Sequence, residues 1–276
     1  KHSKIYFNSE YIFVIIQNMT WAAKRQLQYL SGFLAIILLI VLIIIAPYLR
    51  SDPTCFDGKQ NGNEEGVDCG GSCDLICQGQ AIEPVIIWSR AFSVIGNNHN
   101  LIAFIENRNK DKAVYKVNYE FRVYNKNNRL IGRREGSTFI PPNQRFAIVE
   151  PRFNSGLEEI KSVIFNFNEP VVWYKKEPTL QMMPFKTKDI YFEGDINGAN
   201  LSVKVLNESI YPLPPFDVIA ILYDKDGNAI NGSISRREEL RGGAEINVVF
   251  TWPEKLSATP LTYDVFLSIN PFEVSY

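Results

Sequence analysis

The four cysteines of this 276-residue chain lie in one short window, and the rest of the sequence has none. Outside the cytosol, such a cluster is typical of a small disulfide framework. Four cysteines allow three pairings, and their spacing does not choose among them. A structural zinc site is the alternative, but zinc usually binds thiolates in C-x2-C pairs, which this window lacks. We therefore expect two disulfide bonds among Cys55, Cys69, Cys73 and Cys77.

Oxygen-bearing side chains recur along the same window, separated by glycines. Glycine allows tight turns that direct carbonyl groups inward, and calcium takes about six to eight oxygen ligands. The pattern predicts a calcium site built from several of these side chains. The alternative is an acidic spacer that disulfide bonds alone hold together. The predicted ligands are Asp57, Asn61, Asn63, Glu64 and Asp68.

Two motifs of this window carry a resemblance to known proteins. They are Asp-Gly-x-x-Asn-Gly-x-Glu at residues 57–64 and Gly-Val-Asp-Cys-Gly-Gly at residues 66–71. Together they resemble a short cysteine-rich repeat of secreted and surface-anchored bacterial proteins, which is reminiscent of small calcium-binding modules. A segment of this size cannot bury a core of its own, so it needs covalent or metal cross-links.

The element that would present this module is an uncharged apolar run at residues 30–49. As a helix it would rise about 30 Å, enough to cross a membrane and contact its lipid. Lys24 and Arg25 precede the run and acidic residues follow it, so the positive-inside rule places the N-terminus in the cytoplasm. We expect a single-pass protein of the cell membrane with an extracytoplasmic C-terminal ectodomain.

A secretory signal peptide is the competing interpretation of this run. Its apolar core is usually shorter, about 7–15 residues, and a small-residue cleavage site follows it. Residues 46–50, at the C-terminal end of the run, read Ala-Pro-Tyr-Leu-Arg and do not match such a cleavage site. An uncleaved anchor is therefore the preferred interpretation. Residues 1–18, ahead of Met19, are consistent with an upstream extension.

Beyond the cysteines, the sequence changes to short apolar or alternating runs rich in β-branched and aromatic residues. Turns of Asn, Gly and Pro separate these runs, which is typical of an all-β fold. We expect a cytoplasmic tail at residues 1–29, a transmembrane helix at 30–49 and a cysteine-rich module at 50–80. Two tandem immunoglobulin-like β-sandwiches follow at 81–176 and 177–276, and their short connector predicts a rigid rod.

An internal repeat supports the two sandwiches. Asn100–Asn107 aligns with Asn200–Asn207, and the strand end and polar turn at Asn125–Arg129 align with those at Asp224–Asn228. In both copies an apolar strand ends in Tyr, a polar turn follows, and another strand begins. Such self-similarity at a fixed spacing indicates two related domains in tandem.

The first copy reads Phe121-x-Val123-Tyr124-Asn125, which resembles the F-x-L-Y-D signature of a family of small immunoglobulin-like domains in bacterial envelope proteins. Val and Asn replace the Leu and Asp of that signature, and the second copy has Ala220 in place of Phe. The whole layout of anchor, cysteine module and two sandwiches resembles single-pass surface proteins of bacteria. This resemblance implies an architecture but no activity.

Reaction chemistry has little support in the sequence. Its two histidines are His2 and His99, and it contains no P-loop, dinucleotide-binding glycine motif, H-E-x-x-H or G-x-S-x-G. We expect no enzyme activity, no catalytic residue and no cofactor besides calcium. A hydrolase would require a cleft that gathers carboxylates around His99, or a metal.

We therefore expect a membrane-anchored binding or adhesion protein that presents its sandwiches to a protein or glycan ligand. The alternative function is a structural subunit of a cell-envelope assembly, either a homo-oligomer or a larger complex. The formal charge of the chain is −1, so it lacks the excess of basic residues that is typical of nucleic-acid-binding proteins. We therefore expect no nucleic-acid partner.

Overall fold

The computed structural model describes residues 20–49, 52–176 and 185–274. The chain forms two compact units, Lys1–Thr54 and Cys55–Tyr276. The predicted boundary at residue 177 and the proposed extension at residues 1–18 lie outside the described residues.

Among its described residues, the first unit contains one helix, α1 (Trp21–Leu49), which begins well before the predicted start at Leu30. Thr20 caps its N-terminus, because the Thr20 hydroxyl accepts a hydrogen bond from the Ala23 amide at 3.4 Å. No glycine or proline interrupts residues 21–29, so the helix extends beyond the apolar run. By length and composition, the segment Trp21–Ala46 could cross a membrane.

The second unit is all-β apart from the cysteine module, which confirms the predicted fold class. Its described residues contain thirteen strands, seven in sandwich 1 and six in sandwich 2. The strands of sandwich 1 are β1 (Val85–Ile95), β2 (Asn98–Asn107), β3 (Lys112–Asn125), β4 (Leu130–Ile140), β5 (Gln144–Asn154), β6 (Ile160–Phe167) and β7 (Tyr174–Lys175). Those of sandwich 2 are β8 (Phe185–Asp195), β9 (Gly198–Asn207), β10 (Phe216–Tyr223), β11 (Ala229–Arg237), β12 (Glu245–Trp252) and β13 (Thr262–Ser268).

Both sandwiches follow one strand plan. In sandwich 1, the sheet β1-β2-β5 faces the sheet β4-β3-β6, and β7 pairs with β3. In sandwich 2, the sheet β8-β9-β12 faces the sheet β11-β10-β13. The first six strands of sandwich 1 therefore correspond in order to the six strands of sandwich 2. This equivalence is the structural counterpart of the internal repeat.

The polar turn of each repeat is built in the same way. The side chain of Asn125 accepts hydrogen bonds from the amides of Asn127 and Arg129. The side chain of Asp224 accepts the equivalent bonds from Asp226 and Asn228. Asn128 (φ 56°) and Gly227 (φ 78°) occupy the same left-handed position, which Asn and Gly tolerate best.

A buried asparagine closes the corresponding end of each sandwich. Asn207 is 0% exposed, and its amide nitrogen donates to the carbonyl oxygens of Tyr211 (2.8 Å) and Leu240 (3.0 Å). Asn107 donates in the same manner to the carbonyls of Lys112 (2.9 Å) and Pro141 (2.8 Å). Each asparagine therefore joins the end of a central strand to the segment that directly follows it and to a loop that is distant in the sequence.

Replacing Asn207 with Ala is expected to lower the free energy of unfolding by about 2–3 kcal/mol, because buried carbonyl groups would lose their donors. The matched control is Asn200→Ala, since Asn200 lies on the same strand with an exposed side chain. We expect the control to change stability by less than about 0.5 kcal/mol. Denaturant titration of both variants measures the difference, and equal effects would contradict a structural role for Asn207.

The two sandwiches pack face to face and not end to end, so the expectation of a rod is wrong. An apolar cluster joins the outer face of sheet β1-β2-β5 to the outer face of sheet β11-β10-β13. Phe104 of sandwich 1 contacts Phe266 of sandwich 2, with ring centroids 5.5 Å apart. The buried members of this cluster are Phe92, Ile102, Phe104, Ala147, Val149, Ile219, Ile221 and Ala229.

Hydrogen bonds fix the orientation of the two sandwiches. Asn100 donates to the Gly232 carbonyl at 3.0 Å, and Asn231 donates back to the Ser93 carbonyl at 3.1 Å. Gly232 permits the close approach, because a Cβ there would lie 2.5 Å from Ile102 Cδ1. The four sheets therefore form one stack of layers.

Charged side chains cover the two outermost faces of this stack. On β3, the buried Glu120 pairs with Arg122 at 2.6 Å and with Arg133 at 3.4 Å. On the opposite outer sheet, Lys204 pairs with Asp189 at 2.9 Å. Because stacking a further sheet would desolvate these charges, the outer faces disfavour continued layering.

Candidate functional site

The cysteine module contains two disulfide bonds, as the clustering of its cysteines predicts. Cys55 pairs with Cys73, and Cys69 pairs with Cys77. The two bonds cross in sequence, so they hold the module as one compact loop. Each sulfur atom is bonded to one other in a disulfide. The four cysteines therefore do not supply the thiolates that a structural zinc site needs.

The module is attached to sandwich 1 through its backbone. The Ile76 amide donates to the Trp173 carbonyl at 2.9 Å, and the Lys175 amide donates to the Asp74 carbonyl at 2.7 Å. Leu75 forms a β-bridge with Tyr174 of β7. These contacts anchor residues 74–76, the C-terminal end of the module, to sandwich 1.

Hydrogen bonds bring four of the five predicted calcium ligands together. The carboxylate of Asp57 accepts from the amide side chain of Asn61 at 2.8 Å. Glu64 accepts from the backbone amides of Asn61 (3.2 Å) and Asp68 (3.4 Å). Asp68 accepts from the Gly58 amide with both carboxylate oxygens, at 3.0 and 3.1 Å. These carboxylates therefore organise the loop through backbone donors.

Asn63 contributes through its main chain. A Cβ at Gly71 would lie 1.5 Å from the Asn63 carbonyl oxygen, so only glycine fits at this contact. The side-chain oxygen of Asn61 is buried and has no hydrogen-bond partner among the described residues. An unsatisfied oxygen beside Asp57 and Glu64 matches the oxygen chemistry that calcium prefers, so the donor set fits this cation.

A cleft of about 1040 Å³ opens between the two sandwiches, which no motif of the sequence indicates. One wall comes from β4 and β5 of sandwich 1. The other comes from β10 and β11 of sandwich 2 and from the end of β13 with the segment that follows it. Face-to-face packing brings these walls together.

A tyrosine and a carboxylate lie at the base of the cleft. The Tyr119 hydroxyl donates to Glu150 at 2.7 Å. Burial, followed by this carboxylate, raises the pKa of Tyr119 above its usual value, so the phenol remains a donor at neutral pH. Gly136 makes room for the pair, since a Cβ there would lie 2.5 Å from the Tyr119 hydroxyl.

The sandwich 2 wall presents an ion pair. Arg236 binds Asp217 through two parallel hydrogen bonds of 3.0 and 3.1 Å. Four carboxylates and two arginines line the whole cleft: Glu150, Asp217, Glu238, Glu273, Arg152 and Arg236. Acidic groups are thus in excess, so the cleft favours cationic ligand groups.

A second cleft, of about 910 Å³, contains His99 and thus bears on the hydrolase alternative. Glu158 and Glu159 also line this cleft. The His99 Nδ1 atom lies 3.1 Å from the Asn97 carbonyl oxygen. Glu158 accepts from Asn125 at 2.9 Å, and this bond lowers the pKa of Glu158 below its usual value. In the part of the chain described, no hydrogen bond joins His99 to a carboxylate or a hydroxyl group.

One sequence signal could have indicated that each sandwich buries a second sheet face, although not against which partner. Residues 101–105 read Leu-Ile-Ala-Phe-Ile and residues 218–222 read Val-Ile-Ala-Ile-Leu. Neither run alternates with polar residues, which indicates a strand buried on both faces. In the structure both runs lie on central strands, with one face in a sandwich core and the other in the interface.

Comparisons with known proteins give little further guidance. No family model matches the chain, and no curated protein matches it. The similarity to a crystal structure of red sea bream transglutaminase covers 70% of this chain and 30% of the transglutaminase chain, with 11% sequence identity and a TM-score of 0.25. The similarity to a β-glucuronidase of glycoside hydrolase family 2 covers 81% of this chain and 28% of the glucuronidase chain, with 14% sequence identity and a TM-score of 0.24. The chain thus spans less than a third of either protein, and at these TM-scores neither likeness carries an argument.

Proposed function

We propose that this chain is a membrane-anchored, extracytoplasmic binding protein without catalytic activity, which presents its stacked immunoglobulin-like sandwiches to a protein or glycan partner. The observation that carries the proposal is α1. The apolar stretch of this helix is long enough to cross a membrane, and none of it is buried within the protein. Such a surface is unfavourable in water, and a bilayer would cover it.

The position of charges and disulfide bonds supports the proposed topology. Lys24 and Arg25 lie in the first turns of α1, on the side that the positive-inside rule assigns to the cytoplasm. The two disulfide bonds follow the helix in sequence, and they persist best in an oxidising compartment.

The stacked sandwiches support a binding role. Their buried interface and interdomain hydrogen bonds hold the cleft walls in fixed positions, which lowers the entropic cost of binding. Glu158 and Asp217, which line the two clefts, are engaged by Asn125 and Arg236. Tyr119 donates to Glu150, and the raised pKa of this tyrosine makes its phenol a poor nucleophile at neutral pH.

Protease protection in intact cells tests the topology. We expect a C-terminal epitope tag to be removed by added protease while an N-terminal tag stays protected. Membrane permeabilisation is the control, because it should expose both tags. A protected C-terminal tag that becomes cleavable only after permeabilisation would overturn the proposed orientation.

We also propose that the cysteine module binds calcium through Asn61 and the neighbouring carboxylates. Calcium is expected to slow amide hydrogen exchange in residues 57–68, and Asp57→Asn is expected to remove this protection. The matched control is Asp74→Asn, which makes the same change of charge elsewhere in the module. If calcium leaves the exchange rates of the unsubstituted chain unchanged, the module is a disulfide-held spacer.

A further inference from the structure

The cleft between the sandwiches exposes the edge of a β-strand. Residues 136–139 of β4 line the cleft consecutively. Successive side chains in a strand point to opposite faces, so a consecutive run in the lining means that the strand edge faces the cleft. Among the described strands, β4 pairs with β3 and no other. Its second edge therefore offers backbone groups that no neighbouring strand uses.

Hydrogen bonds of β3 show which β4 groups point outward. Asn118 lies opposite Ser137 in the β3–β4 register. The Asn118 amide donates to Glu169 at 3.0 Å, and its carbonyl accepts from the Asn168 amide at 2.9 Å. Both groups thus point away from β4. In an antiparallel pair this makes Asn118 and Ser137 a non-hydrogen-bonded pair, so the Ser137 amide and carbonyl point to the free edge.

The β4 edge is the accessible wall of the cleft. Ser137 is exposed, whereas Ala147, Ile148 and Val149 of β5 are only 5–8% exposed. The register of β4 with β3 runs without a bulge from Thr138 to Gly132, so the edge is regular. Bulges, prolines and charged side chains commonly protect free edges. Arg133, Arg134 and Glu135 protect one end of this stretch in that way, whereas Gly136, Ser137 and Thr138 carry no charge, proline or bulge. The edge is therefore suited to pairing with an added strand.

We infer that the cleft binds an extended peptide segment that adds as a strand to the free edge of β4 and carries Lys or Arg side chains. Main-chain hydrogen bonds to Ser137 would supply affinity, as in other cases of strand addition. The excess of carboxylates in the cleft would select basic side chains. This inference rests on the proposed binding function and specifies the class of partner.

The test uses the full chain in nanodiscs of zwitterionic lipid, so that the membrane does not attract basic peptides. The probe is a fluorescent peptide of about eight residues that alternates Val and Lys, long enough for one strand. We expect saturable binding of this peptide. A Val/Glu peptide and a Val/Lys peptide that is N-methylated at alternate residues should each bind about tenfold more weakly or worse.

Two pairs of variants locate the binding site. Ser137→Pro removes the outward amide without removing a β3 hydrogen bond, and should abolish binding, whereas Ser137→Ala keeps the amide and should bind normally. Glu150→Gln with Glu238→Gln should weaken binding about tenfold. Glu83→Gln with Glu193→Gln makes the same charge change outside the cleft, so this pair should leave peptide binding unchanged.

Hydrogen exchange shows whether a variant that fails to bind the peptide is still folded. The peptide should slow amide exchange at Ser137 in the unsubstituted chain, and Ser137→Pro should retain native exchange rates in the core strands of both sandwiches. The inference fails if the Val/Lys peptide does not bind, if N-methylation has no effect, or if both glutamine pairs weaken binding equally. The protease-protection result is independent of these outcomes, so failure of the peptide site is distinguishable from failure of the proposed topology.

Discussion

Replacing Ile221 with Asp is expected to unfold both sandwiches together. Ile221 is 0% exposed and lies in the cluster that joins the two sandwiches. A carboxylate there would have no partner, and an uncompensated buried charge costs about 3–5 kcal/mol. Since a domain has a stability of only about 5–15 kcal/mol, this loss is a large fraction of the total.

Hydrogen exchange measured separately in β2 and β9 would detect this coupling. Exchange should accelerate in both strands by similar factors, although Ile221 belongs to sandwich 2 alone. Ile164→Asp is the matched control, because Ile164 is 45% exposed on the outer sheet of sandwich 1. Acceleration confined to sandwich 2 would show that the sandwiches fold independently and that their interface contributes little.

Removing the Cys55–Cys73 bond by a double Ser substitution is expected to unfold the cysteine module while both sandwiches stay folded. The two cysteines are 18 residues apart, and closing such a loop stabilises the native state by about 3 kcal/mol. The module has little apolar surface to bury, so it has no comparable source of stability. Cys73 is itself 1% exposed, and the introduced hydroxyl would be buried there.

Limited proteolysis would test this expectation. Cleavage between residues 57 and 68 should become fast, whereas the sandwiches should remain resistant. The Cys69–Cys77 bond closes a shorter loop, with a separation of 8, so its removal should have the smaller effect. An intact, protease-resistant module after loss of Cys55–Cys73 would mean that its attachment to β7 is sufficient for folding.

Local patterns in the sequence predicted much of the architecture. Alternating apolar residues, as in Leu201, Val203 and Val205, place one face of β9 in a core, because side chains alternate across a strand. The aligned Asn107 and Asn207 mark equivalent strand ends because each satisfies carbonyl groups of its own sandwich. Clustered cysteines likewise predicted two disulfide bonds, since all their partners lie within one short segment.

The sequence by itself therefore determined the strands, the repeat and the number of disulfide bonds, all of which depend on neighbouring residues. Only the tertiary structure decided the cysteine pairing, the face-to-face packing and the cleft. The contact between Asn100 and Gly232 illustrates the reason. It joins residues from different sandwiches, and their separation in space depends on which two sheet faces bury each other, a choice that no local pattern encodes.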